Sequence, residues 1–400
     1  MFTIRLARFG PAVLFSSPAA ARQIFEGDPE TFLAGKTKFM KPFVGESSLL
    51  CLDGDAHLRH RRLLSPPFHG EVLVDYEEVI AEIAERELRS WPHDRAFSLE
   101  PWMRRITLEA VLRNVFGLRS GERAGRLADL LRDLMDHATA GVVELVRFTL
   151  RRDLARPPSV RTKLGRLLRD VDQAIRAEIA DRRSVGPAGR RDVLSLLLAA
   201  YDERGEGLSD GEVRDELVTM LLAGHETTTA SLEWAFERLL RHPGAWERLC
   251  EEARQGTTDE YARAVVRETL RVRPVFLVTG RRPTQPAEIA GHHVPAGTLA
   301  YACIYLLHTR EDLYEDPYAF RPERFLAASA PVPYAWIPFG GGRRRCIGAA
   351  FAELEMRVLL RVVAARARLQ APDPAPEPLR RRGVVIAPGR GAMVELTQRI

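Results

Sequence analysis

The chain has little cysteine and no pattern in it. Cys51, Cys250, Cys303 and Cys346 lie far apart over 400 residues and form no C-x-x-C pair, which excludes a disulfide framework and leaves no zinc knuckle or redox dithiol to read. Lysine is scarcer in proportion: Lys36, Lys38, Lys41 and Lys163 stand among 59 basic residues, so 55 are arginine. That skew is the mark of a GC-rich coding sequence. The arginines are spread along the chain against 54 acids, so a net charge of +5 does not gather into the stripe a nucleic-acid surface needs. Long apolar runs are missing too. The uncharged stretch Val294–Leu307 has 14 residues and contains Pro295, short of the roughly 18–20 that cross a bilayer. What remains, with 46% hydrophobic and 28% charged residues, is a large globular core.

The first 17 residues read as a hairpin around Gly10-Pro11. Arg5, Arg8 and the apolar Phe9–Phe15 loosely resemble a signal peptide, but the Gly-Pro break and the alternation of Ile4–Arg8 suit a strand. Pro18 opens a short helix ending near Gly27, and Asp28–Gly54 looks irregular. Helical spacing of apolar residues follows over 73–91, 102–116, 121–137, 160–182, 191–203, 211–241 and 258–272, the 211–241 helix stopping at His242-Pro243. Val275–Tyr301 is strand-like, Leu326–Gly342 is a Pro/Gly-rich loop, and a helix runs from Ala349 to about Ala367. The tail Gly383–Leu396 reads as a closing hairpin around Pro388-Gly389. No repeat or linker divides the chain, so the expectation is one large, mainly α domain over 1–400 with a small β region.

Four segments carry chemistry. In Phe339-Gly340-Gly341-Gly342-Arg343-Arg344-Arg345-Cys346-Ile347-Gly348 a lone cysteine follows a glycine-rich turn and precedes a helix. Nearby cations and a helix N-terminus favour thiolate over thiol, and glycines let backbone N–H groups approach the sulfur. Such a soft ligand suits haem iron. The plain alternative is a structural cysteine beside an arginine-rich loop. In Ala223-Gly224-His225-Glu226-Thr227-Thr228 a mid-helix glycine costs about 1 kcal/mol relative to alanine. Threonines bonding back to carbonyls loosen the ladder further, so the helix is expected to open there. His225-Glu226 begins like H-E-x-x-H, but Thr229 holds the second histidine position and the zinc reading fails. Glu268 and Arg271 share a helical face at i, i+3, and Pro322-Glu323-Arg324-Phe325 supplies another arginine. His57 and Arg61 lie one turn apart.

Residue by residue, Phe339–Gly348 matches F-x-x-G-x-R-x-C-x-G and resembles the haem-ligand loop of the cytochrome P450 monooxygenases. Glu226-Thr227 resembles that family's oxygen-activation motif, Glu268-x-x-Arg271 with Arg324 its buried ion-pair trio, and His57-x-x-x-Arg61 its propionate clamp. The resemblance runs over nearly the whole chain. It departs at the front, because members usually carry several dozen residues before the first strand and this sequence starts almost in it.

The resemblance implies the α-rich P450 fold, with haem b between the long helix and the cysteine loop. Cys346 would ligate the iron. His57, Arg61, Arg281 and Arg344 would meet the propionates, and Ala223, Phe339 and Gly348 would complete the haem contacts. Thr227 and Glu226 would help deliver protons, and Glu268, Arg271 and Arg324 would act structurally beneath the haem. Thr219, Leu222, Ala223, Val275, Phe276, Leu277, Val278, Val384, Val385 and Ile386 would wall a lipophilic substrate. One atom of O₂ would enter that substrate. Electrons would come from NAD(P)H indirectly, through a ferredoxin or flavodoxin docking where Arg343, Arg345, Arg59 and Arg62 gather. The expected compartment is the cytoplasm. A peroxide-using or rearranging haem-thiolate enzyme, or a non-catalytic helper of the same fold, stays open as an alternative.

Overall fold

The computed structural model describes residues 1–6, 10–34, 40–118, 125–135, 162–186, 189–326 and 332–400. The chain enters through the hairpin expected, β1 (Phe2–Leu6) pairing antiparallel with β2 (Gly10–Phe15). In α1 (Pro18–Glu26) the Ser17 hydroxyl accepts the Ala20 N–H, and Pro18 sits at the first turn, where its missing donor is harmless. The helix buries Ala20, Ala21, Ile24 and Phe25 against the sheet. After β3 (Phe32–Leu33) and the short α2 (Lys41–Val44) the helices take over: α3 (Gly54–Leu64), α4 (Val72–Leu88), β4 (Ala96–Ser98), α5 (Glu100–Asn114), α6 (125–135), α7 (Lys163–Val185) and α8 (Val193–Leu198). The helices expected over 121–137 and 160–182 extend beyond the described residues.

The long helix is α9 (Asp210–Leu240). Ser209 and Glu212 form a reciprocal capping box at its start, satisfying two N–H groups that would otherwise lack partners. It packs against α5, α7 and three later helices, α10 (Pro243–Gln255), α11 (Glu260–Val272) and α13 (Ala349–Arg366), so residues on most of its faces are buried. The remaining elements are β5 (Val278–Pro283), β6 (Ala287–Ile289), β7 (His292–Val294), β8 (Leu299–Cys303), α12 (Ile304–His308), β9 (Ala367–Gln370), β10 (Leu379–Arg382), β11 (Val385–Pro388) and β12 (Met393–Arg399). The largest sheet has the order β1-β2-β8-β5-β3, with β2 and β8 parallel.

The long helix stops before His242-Pro243 as expected, at Leu240, and Pro243 starts α10, a helix the spacing does not mark, at a position that loses no hydrogen bond. Three expectations need correction. Within 191–203 the helix covers only Val193–Leu198. Tyr201 then bridges to Gly207. The tail hairpin turns at Gly383-Val384, where β10 pairs with β11. The strand after Pro388-Gly389, β12, pairs instead with β4 and β9. The helix around Gly224 stays unbroken: Thr227 and Thr229 donate to the Ala223 and His225 carbonyls at 2.6 and 2.9 Å without opening the ladder.

Two core histidines tie these elements together. His308 accepts the Ile337 N–H on Nε2 at 2.9 Å and donates from Nδ1 to the Arg271 carbonyl at 3.2 Å, so it must be neutral. His225 Nδ1 lies 2.7 Å from Thr107 Oγ1. Burial pushes both imidazoles down to about 3 from the ordinary 6.5. Their contribution is therefore complete above pH 6.5 and is lost as pH falls towards 3, at about 1.4 kcal/mol per pH unit for each histidine. Thermal unfolding of the haem-loaded protein should show stability falling between pH 6.5 and 5. His225→Asn should flatten that fall by one proton's worth; equal slopes in the two proteins would contradict it.

Candidate functional site

The cysteine loop is fixed from both ends. Cys346 N–H donates to the Phe339 carbonyl at 2.9 Å, and Gly340 N–H to that of Ile337 at 3.0 Å. The glycines before the cysteine serve packing rather than the sulfur. A Cβ on Gly341 would lie 2.6 Å from the Phe25 ring, and one on Gly342, where φ is +63°, would lie 2.1 Å from the Phe25 carbonyl oxygen. The end of α1 therefore sits directly on the loop. Gly348, at the start of α13, offers its N–H to the sulfur. Cys346 is surrounded by protein yet keeps accessible surface, unlike the three other cysteines, which are buried. Burial pushes its thiol up, outweighing the Gly348 N–H and the charges of Arg345 and Arg61. The expected thiolate is thus not stabilised by the loop alone. A metal cation at the sulfur reverses that balance, because coordination deprotonates a thiol.

Beside the cysteine, cations converge. His57 and Arg61 project from α3, Arg281 from β5 and Arg344 from the loop. Arg344 donates to Asp53 Oδ1 and to the Leu52 carbonyl, both at 2.6 Å. Arg281 reaches only the Gly280 and Gly341 carbonyls, at 2.8 and 3.5 Å, and lies over the Phe25 ring. Burial lowers Arg61, Arg344 and Arg281, the last to about 10, and neighbouring guanidiniums lower each further. His57 is pushed down to about 3 by burial and by Arg344, Arg61 and Arg281. Desolvated like charges with a single carboxylate among them in the described residues, Asp53, form a site suited to an anion. Two propionates would answer it, and the donor set fits haem b.

After its first residue, α9 has one exposed position. Ala223 is exposed midway along a helix whose flanks are buried, and Leu222, Glu226 and Thr227 keep partial exposure beside it. One turn apart on the helix, Ala223 and Thr227 open a strip of it. The Thr227 hydroxyl is occupied with the Ala223 carbonyl, and Arg104 holds one oxygen of Glu226 at 2.7 Å while Arg382 holds the other.

The cytochrome P450 family model matches residues 1–394. The chain belongs to the cytochrome P450 family. It is 39% identical over 403 residues to the protein named cytochrome P450 135B1, itself assigned by inference, of Mycobacterium bovis and Mycobacterium tuberculosis, covering 99% of this chain and 84% of that one. It is 37% identical over 398 residues to Mycobacterium tuberculosis cytochrome P450 137, also assigned by inference, covering 98% and 82%. Among solved structures, the retinoic acid-bound cyanobacterial CYP120A1 superposes with a TM-score of 0.84 at 26% identity, covering all of this chain and 91% of that one. Haem b is the family's cofactor, with O₂ as co-substrate and electrons from a redox partner. Among the described residues no helix is long and apolar enough to cross a membrane.

Of the P450 motifs, the trio comes together as a hydrogen-bonded unit. Arg271 Nε and Nη2 each lie 2.7 Å from Glu268, and Arg324 Nε reaches Glu268 Oε1 at 3.2 Å. The remaining Arg271 donors go to the carbonyls of His308, Pro317 and Ala319. The expected substrate wall divides. Leu222, Ala223, Phe276, Leu277, Val278, Val384 and Ile386 keep surface. Thr219 does not, because its hydroxyl bonds Ser48 Oγ and the Asp215 carbonyl. Val275 and Val385 pack with Ala230, Trp234 and Ala387 as a satellite core. The docking patch also shrinks: Arg59 is spent on Asp202 at 2.7 Å and Glu212 at 3.4 Å, and Arg62 meets Glu203 at 3.1 Å. Arg343 and Arg345 remain exposed.

Sequence reasoning missed Asp53 and Arg382, each paired with a residue more than a hundred positions away. It also missed His308, whose ring nitrogens are both used. Glu268→Gln should strand the fully buried Arg271 charge, costing about 3–5 kcal/mol, and cut haem-loaded yield severalfold. Arg324→Ala, at the rim of the trio, should cost clearly less. Haem absorbance per protein and the unfolding midpoint measure both, and equal losses would contradict the arrangement.

Proposed function

We propose that this P450 inserts one atom of O₂ into a C–H or C=C bond of a lipophilic small molecule, with Cys346 as the iron's axial ligand. The observation that carries the reading is the under-compensated cluster of Arg61, Arg281 and Arg344 next to Cys346, the one cysteine of the four that keeps accessible surface. The overall balance is substrate plus O₂, two electrons and two protons, giving oxygenated substrate and water. When bound, haem b supplies the O₂ chemistry, and thiolate ligation favours O–O cleavage.

The chain's own residues supply the rest. Arg61, Arg281, Arg344 and His57 would hold the propionates, and the Gly348 N–H faces the sulfur. Ala223, the smallest side chain on the open strip of α9, leaves room beside the ring. Thr227 passes protons through its hydroxyl after turning away from the Ala223 carbonyl, with Glu226 as the acid behind it. Phe276, Leu277, Val278, Val384, Ile386 and Leu222 offer apolar surface to the substrate and help exclude water. Retinoic acid, named with the cyanobacterial neighbour, belongs to that same lipophilic class. The exposed Arg343 and Arg345 suit an acidic ferredoxin or flavodoxin, charge complementarity acting mainly on the association rate.

Reduced protein under carbon monoxide should show the red-shifted Soret band of a thiolate-ligated haem, and Cys346→Ser should lose it. A thiolate spectrum persisting in that variant would remove Cys346 from the iron. A substrate-library screen for the haem spin-state shift then identifies the ligand class. With a compound found that way, Thr227→Ala should divert reducing equivalents from product into peroxide while keeping haem. Unchanged coupling would leave the threonine a packing role.

A further inference from the structure

The carboxylate assigned above to proton delivery is not free to act. Arg104 from α5 holds Glu226 Oε2 at 2.7 Å, and Arg382 from β10 holds Oε1. Arg382, only 9% exposed, also grips Glu233 with two nitrogens at 2.9 and 3.1 Å and meets Glu100 at 3.1 Å. The charged groups facing Glu226 are thus Glu100 and Arg104 from α5, Glu233 from α9 and Arg382 from β10. His225, the preceding residue on α9, is held neutral by burial and by the two guanidiniums. Among the described residues, three carboxylates meet two guanidiniums here, so carboxylates crowd the shared Arg382. Burial pushes Glu233 up to about 8 against the pull of Arg382, in line with a proton held in the cluster.

Arg382 is also the last residue of β10. The next two, Gly383 and Val384, make the turn of the hairpin whose exposed Val384 and half-buried Ile386 face the substrate in the reading above. Gly383 has φ +59°, a conformation glycine takes without strain, and no atom crowds its missing Cβ. The residue whose guanidinium clamps Glu226 is therefore joined directly to the hairpin's turn.

We propose that Arg382 is a positioning residue that ties Glu226 to the placement of the β10–β11 hairpin, so that shifting the hairpin changes whether Glu226 can pass a proton. The proposal rests on the reading of Glu226 as the proton-relaying acid. A purely structural role would have Arg382 pin the hairpin and leave proton supply untouched.

The test uses haem-loaded wild type, Arg382→Gln, Arg382→Lys, Gly383→Val and Glu226→Gln across a pH series. Infrared spectra report the protonated carboxyl signal. Substrate-free turnover with a surrogate plant-type ferredoxin and its reductase reports how oxygen divides between peroxide (O₂ + 2e⁻ + 2H⁺ → H₂O₂) and water (O₂ + 4e⁻ + 4H⁺ → 2H₂O). Losing a cation lets the cluster keep a proton to higher pH, so Arg382→Gln should raise the midpoint of both profiles by about one pH unit or more. Arg382→Lys should restore at least half of that shift. Gly383→Val leaves every ion pair chemically intact but strains the turn, and it should move the midpoints too, by less. If Arg382→Gln loads haem and keeps the wild-type midpoints, or Gly383→Val does, the proposal is overturned. Should Arg382→Gln fail to load haem, Gly383→Val decides alone. Failure of the underlying reading shows elsewhere: Glu226→Gln would leave the peroxide profile as it is in wild type.

Discussion

Buried positive charge without enough negative charge is the constraint on which the site depends. Arg61, Arg281 and Arg344 come from three separate elements, and burial and mutual repulsion lower all three. Nothing in the energetics of folding rewards bringing desolvated like charges together. The arrangement makes sense once a dianion occupies the same space, and haem b brings two carboxylates. The elements that carry these arginines are accordingly held by unrelated contacts. Asp53 orients Arg344, the Phe25 carbonyl leaves no room beside Gly342, and β5 is locked between β8 and β3.

A second charged device works by the opposite rule. Glu268 and Arg271 are fully buried but matched, and the leftover donors of Arg271 end on three carbonyls from 308 to 319. A buried pair whose every hydrogen bond is used fixes geometry more than it adds stability. Here it joins α11 to α12 and to the segment leading into the cysteine loop, and His308 continues the connection to Ile337. The cluster around Arg382 lies between these extremes. It is buried and well bonded, and burial pushes its Glu233 up to about 8 against the pull of Arg382.

Local patterns in the sequence were the readable ones. The cysteine loop, E-x-x-R and most helices follow from residues within one turn of each other. The trio's third member could be named because Pro322–Phe325 is itself a compact motif. Partners distant in the chain were not legible: Asp202 and Glu212 claim Arg59, and β12 finds β4 almost three hundred residues away. Arg382 was hidden among 55 arginines, with no local feature to mark it. The orientation of α9 was unreadable for a different reason. A helix buried on most sides has little amphipathic pattern, so nothing local told Thr219, bonded to Ser48, from Ala223, which is open.

The central claim is that the arginine cluster exists to hold an anionic cofactor, and the sign of one substitution tests it. Arg281 makes no ion pair among the described contacts, so in a protein with no anion at the cluster its removal would relieve repulsion and desolvation. Arg281→Gln in the haem-loaded protein should instead lower the midpoint for thermal haem release, by several degrees for a loss of about 1–3 kcal/mol. A midpoint equal to or above that of wild type would contradict the account.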